Sequence, residues 1–110
     1  MSDVFPGPVQ RLPQTDIPVP GLRAHLSEAS DHQILFMEFQ DDVEIPAHAH
    51  AAQWTVVLEG CMDLELEGVA HVCRKGDRIF IPAGAKHSAH IHAGYADITF
   101  FDQKDRYKAK

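Results

Sequence analysis

His48 and His50 stand two residues apart in the run Ile45-Pro46-Ala47-His48-Ala49-His50-Ala51-Ala52-Gln53-Trp54, and the amide of Gln53 follows three residues later. On a strand, residues i and i+2 share a face with their Cα atoms ~6.5–7 Å apart, so both imidazoles can aim at one point. Alanines at 47, 49, 51 and 52 leave room around them. Imidazole nitrogens converging with an oxygen donor are ligands for a divalent transition metal. The spacing alone is not selective, because the chain has eight histidines and His90-Ile91-His92 repeats it. A third histidine comes from a distant segment. From Gly76-Asp77 the chain runs through Arg78-Ile79-Phe80-Ile81, turns at Pro82-Ala83-Gly84, and delivers His87 at the start of the next strand. Pro82 presets that turn and Gly84 supplies its permissive backbone.

The elements that must position these side chains read as strands. Gln33–Phe39 and Gln53–Leu58 are apolar and end at turn residues. Met62, Leu64 and Leu66 alternate with Asp63, Glu65 and Glu67, the period of a half-buried strand, and Gly68 follows as a hairpin turn. Ile79–Ile81 is stopped by Pro82, and Ala96–Phe101 is the last apolar run. No stretch holds a helical period over ten residues, so the expected fold is an all-β sandwich or small barrel.

With 110 residues the chain is one domain. Five of its seven prolines fall between Pro6 and Pro20, and residues 1–22 are read as an extended Pro-rich arm lying on the body or reaching a partner, with 23–110 as the domain proper. Disorder of the first few residues is the alternative. The net charge of −6 argues against a nucleic-acid partner. The basic tail Lys104–Lys110 is read as a solvated terminus. No segment has the ~18 apolar residues of a membrane span, and Met1–Gln10 has no apolar signal core, so the expected setting is cytoplasmic.

Taken together, the two histidine segments resemble the cupins. The first motif of that family is HxH, an acidic residue, six residues and a Gly; the second is G(x)5PxG(x)2H(x)3N. Gly76, Pro82, Gly84 and His87 match the second at every spacing up to its His, and His48, His50, Gln53 and Gly60 follow the first. The resemblance spans roughly residues 34–102. There are four departures. Asp42 replaces the opening Gly, the gap from His50 to Gln53 is one residue short, Ile91 replaces the final Asn, and Gln53 stands where the family has Glu.

The resemblance implies a double-stranded β-helix, or jelly-roll barrel, and one divalent metal (Zn, Fe, Mn, Ni, Co or Cu) held by His48, His50 and His87 with Gln53 through its side-chain oxygen. Two other states stay open, a three-His site completed by water and an empty site. A neutral amide leaves the centre about one charge more positive than a carboxylate would, which favours an anionic ligand and a stronger Lewis acid. The implied function is a metal-dependent enzyme of dioxygenase, decarboxylase or lyase, or isomerase type, acting on a small anionic or oxygenated substrate. The alternative is a non-catalytic binding or sensing protein. Thr55, Val57, Met62, Ala89 and Met37 are the expected lining, with Tyr95 near the mouth.

Other residues read more plainly. Trp54, Val56 and Leu58 have the parity opposite to Gln53, and cupins often bury that face in a homodimer. His90 and His92 face away from His87, and His25, His32 and His71 are read as surface residues. Cys61 and Cys73 flank the hairpin, where a three-residue turn would set them opposite one another, but Cys73 reads as a small core residue. Glu38 and Glu44 are read as solvated at strand edges. No Ser–His–Asp motif, phosphate loop or paired carboxylates are present, so chemistry would come mainly from the metal.

Overall fold

The computed structural model describes residues 4–110. After a short helix α1 (Gly7–Gln10) the described residues form β1 (Leu22–Glu28), β2 (Gln33–Phe39), β3 (Val43–His48), β4 (Gln53–Glu59), β5 (Cys61–Leu66), β6 (Val69–Arg74), β7 (Arg78–Ile81), β8 (His87–Ile91) and β9 (Ala96–Phe101). They pair antiparallel into two sheets, one ordered β1-β2-β9-β4-β7 and the other β3-β8-β5-β6. Both sheets turn their apolar alternates inward. Phe39, Val57, Met62, Leu64, Ile81, Ala89, Ile91 and Tyr95 form the core between them, the arrangement of a jelly roll.

The hairpin from β5 to β6 corrects one expectation. Its turn has two residues, not three, with Glu67 at φ 49° and Gly68 at φ 79°, the left-handed pair of a tight hairpin. Leu66 therefore faces Val69, Cys61 faces Arg74 and Cys73 faces Met62. Both cysteines are unpaired, and Cys73 is buried in the core.

The arm also differs from a plain extended segment. Residues 1–3 of the expected arm lie outside the described residues. Gly7–Gln10 makes one helical turn with a proline in its first positions, where a missing N–H removes nothing. Beyond it the chain lies on the body. Phe5 packs edge-on to Phe36 at 5.6 Å, and bridges join Gln14 to His25 and Thr15 to Ala109. This cover buries His25, which is 4% exposed and not a surface residue as expected. Burial lowers its pKa. His71 is exposed and His32 half-buried, stacked on Phe100.

The tail is likewise not a solvated terminus. The Gln33 amide donates to Tyr107 O at 2.7 Å and its Oε1 accepts from Tyr107 N at 2.9 Å. A buried amide satisfied by backbone on both sides fixes the segment that carries Arg106 and Tyr107.

Candidate metal centre

The expected strand over both His48 and His50 is cut short. Pro46 sits in β3, an edge strand where its missing donor is tolerated. The register then shifts between Ile45 and His48, and β3 ends at His48, paired with His87. His50 is carried by the following loop and held there from the second motif, since Gly84 N donates to His50 O at 2.9 Å. The Pro-x-Gly turn thus positions a histidine of each motif.

The three rings converge. Their centroids are 5.1 Å apart for His48 and His50, 4.3 Å for His48 and His87, and 4.9 Å for His50 and His87. One nitrogen from each lies within 4.8 Å of the others. Each Nδ1 meets a backbone carbonyl, Pro46 O at 2.9 Å, Ala51 O at 2.7 Å and Ala85 O at 2.9 Å. A carbonyl only accepts, so each Nδ1 carries the proton and each Nε2 is left with its lone pair. Burial lowers the pKa of His50 and His87, with the Arg106 charge adding to it. His50 and His87 are therefore neutral at neutral pH, and the three Nε2 lone pairs fit a divalent metal.

These rings sit at the wall of a cavity of about 230 Å³. Gln53, Thr55, Met62, Ala89 and Met37 line it. Val57 and Tyr95 do not. Val57 packs into the core at 1% exposure, and Tyr95, at 0%, is a core residue and not a cap at the mouth. The Gln53 amide nitrogen donates to Thr55 Oγ1 at 3.1 Å, a bond that does not use its Oε1, the atom a metal would need.

Sequence reasoning missed Asp97 and Arg106, which line the same cavity. Asp97 belongs to a hydrogen-bonded chain. Thr55 Oγ1 is 2.9 Å from Thr99 Oγ1, Thr99 donates to Asp97 Oδ1 at 3.1 Å, and Tyr95 donates to Asp97 Oδ2 at 2.6 Å. Burial pushes the Asp97 carboxyl up to about 7 against the stabilising bonds from Tyr95 and Thr99. Arg106 stacks over Tyr107, 4.5 Å from its ring centre, and its buried Nε has no hydrogen-bond partner among the described residues. The one available signal for Asp97 was an acid inside the apolar run Ala96–Phe101, sharing parity with Thr99 and Phe101.

On the outer faces, Trp54 is 44% exposed and its register neighbour Phe80 is 59% exposed. His90 and His92 point away from the cavity, as expected. Glu44 is exposed and bonded to His90, and Glu38 lies 4.0 Å from Arg23.

A family model described as a cupin domain matches residues 35–102. The chain belongs to the cupin family. Among solved structures, this cupin is similar to an RmlC-like cupin from Shewanella frigidimarina, with TM-score 0.75, 23% identity, and coverage of 96% of this chain and 94% of that one. It is similar also to KdgF from Halomonas sp., with TM-score 0.72, 22% identity, and coverage of 83% and 87%. Salicylate 1,2-dioxygenase from Pseudoaminobacter salicylatoxidans, solved as adducts with gentisate, gives TM-score 0.68 at 17% identity over 78% of this chain and 26% of that one. No curated protein matches the chain. At these identities the likeness concerns the fold. Cupins commonly bind a metal, and this one has the histidine group to do so.

Proposed function

We propose that this cupin is a metal-dependent enzyme acting on a small anionic or oxygenated substrate. One divalent ion would be held by His48, His50 and His87, with Gln53 as the oxygen ligand. The observation that carries this reading is the set of three carbonyl-bound Nδ1 atoms, which leaves three Nε2 lone pairs converging at the cavity wall. When bound, the ion would act as a Lewis acid on a substrate oxygen.

The remaining work falls to the chain's own residues. Three neutral imidazoles and a neutral amide leave the ion's charge uncompensated, and Arg106 adds another positive charge at the same cavity. In a low-dielectric site that combination draws an anion, and the unpartnered Arg106 Nε is a donor for one. A volume of about 230 Å³ lies below the ~300–1,000 Å³ of sites for drug-sized ligands, which suits a small acid. Asp97 supplies the proton-holding group that the sequence motifs lack. Its carboxyl, held near neutrality, suits general acid–base work better than an ordinary aspartate does. Ile17 and Val19 of the arm add apolar side chains to the same wall.

The test is metal analysis followed by turnover and oxygen uptake with small carboxylic acids, keto acids and diols. Metal-dependent turnover, weakened at least about tenfold in Arg106→Gln through loss of a charged hydrogen bond, supports the enzyme. Saturable binding without turnover of any of them supports a binding protein instead.

We infer further that a second copy covers the face of Trp54 and Phe80, since exposed aromatic neighbours of this size favour burial. Light scattering should give a dimer mass for the chain and a monomer mass for Trp54→Glu. A monomeric parent chain would contradict this. A cytoplasmic setting belongs to the same reading, supported by the two unpaired cysteines.

A further inference from the structure

The outer face of the β3-β8-β5-β6 sheet carries a second group of ligating side chains. Along β8 the residues His87, Ala89 and Ile91 point inward, so His90 points out. The register sets it between Glu44 on β3 and Asp63 on β5. His92 follows just beyond the strand, its ring centre 4.6 Å from that of His90.

Each of these rings has one nitrogen engaged by a carboxylate. Glu44 Oε1 is bonded to His90 Nδ1, and Asp63 Oδ2 lies 2.7 Å from His92 Nε2. A carboxylate on one nitrogen fixes the ring's orientation and leaves the other nitrogen as a basic donor. The remaining nitrogen of His90, Nε2, faces Asp42. The Asp42 Oδ1 accepts from Ala93 N at 2.8 Å, which pins the carboxylate and leaves Oδ2 free. Asp42 Oδ2 is 3.6 Å from His90 Nε2, too long for a good hydrogen bond. Two atoms bound ~2.05 Å from one tetrahedral ion stand about 3.4 Å apart, which is close to the separation found. One ligand atom from each of Asp42, His90 and His92 lies within 4.8 Å of the others.

We propose that Asp42, His90 and His92 form a second, surface metal site for zinc, with Glu44 and Asp63 orienting the two imidazoles. Two nitrogens and one carboxylate oxygen are a zinc donor set, and the site's exposure lets water fill the remaining position. The ion ties the turn before β3 to the turn after β8. Asp42 stands where the cupin motif has Gly, so that departure has a use here. A second grouping on this face, Cys61, Asp63 and His92, shares His92. It is disfavoured because the Asp63 oxygen is already spent on His92 Nε2.

The test is independent of the interior centre. Tag-free protein stripped with a chelator is titrated with zinc chloride by calorimetry, alongside Asp42→Asn, His92→Gln, Glu44→Gln and Cys61→Ser. All four side chains on trial are at the surface or half-buried, so the variants should fold; circular dichroism checks this. Asp42→Asn and His92→Gln should each lose one micromolar equivalent of zinc, whatever the interior holds. Glu44→Gln should weaken that equivalent about tenfold, as loss of an orienting partner does, and Cys61→Ser should leave it unchanged. Unaltered stoichiometry in both ligand variants, or loss in Cys61→Ser with Asp42→Asn neutral, would overturn the proposal.

Discussion

Tyr95 donates its phenolic hydrogen to the Asp97 carboxyl across 2.6 Å, and both side chains are buried. Burial raises the pKa of both groups, so the pair is most stable with its protons in place. Asp97 rises from 3.8 to about 7. Because the folded value lies above the unfolded one, its contribution is intact below about pH 4 and is lost as pH rises through 7. The whole shift corresponds to at most about 4 kcal/mol.

Asp97→Asn should remove that dependence. His50 and His87 have lowered values and act in the opposite sense, losing stability as pH falls, but both chains share them. Urea unfolding of metal-free protein at a series of pH values should therefore show the variant gaining on the parent by about 2–4 kcal/mol between pH 4 and 8. Parallel curves would mean that Asp97 is ionised throughout.

Gln53→Glu tests the charge of the interior centre. A carboxylate at this position should tighten the metal and weaken a small carboxylic acid in the cavity, each by at least about tenfold at the effective dielectric of such sites. Competitive chelation and calorimetry read the two effects. Anion affinity that does not change would remove Gln53 from the electrostatic argument.

Two motif glycines should differ. Gly60 has φ 77°, and a Cβ there would meet Tyr95 Cα at 2.7 Å and Gly94 O at 2.9 Å. Gly84 has φ 78° with open space around it. Gly84→Ala should cost about 1–2 kcal/mol from backbone strain alone, and Gly60→Ala about 1–3 kcal/mol more from the clash. Thermal melts with equal losses would contradict the packing account.

What was legible in the sequence followed from local spacing. His87 was found because Pro82 and Gly84 fix a turn at a set distance before it, and the alternation from Met62 to Leu66 told inside from outside. What escaped depends on segments far apart in the chain. Asp97 gains its meaning from Thr55 on a neighbouring strand, through Thr99. Arg106 reaches the cavity because Gln33, 74 positions from Tyr107 along the chain, clasps the tail. His25 is buried by an arm whose path its own strand pattern does not report. The strand expected over His48 and His50 ends at His48 because a register shift after Ile45 breaks its period of two.

The most direct measurement is the metal content of freshly purified protein, taken in a background carrying His90→Ala and His92→Ala so that only the interior is read. The account predicts one divalent ion per chain there, and none once His48→Ala and His50→Ala are added. Full occupancy in that final variant would contradict it.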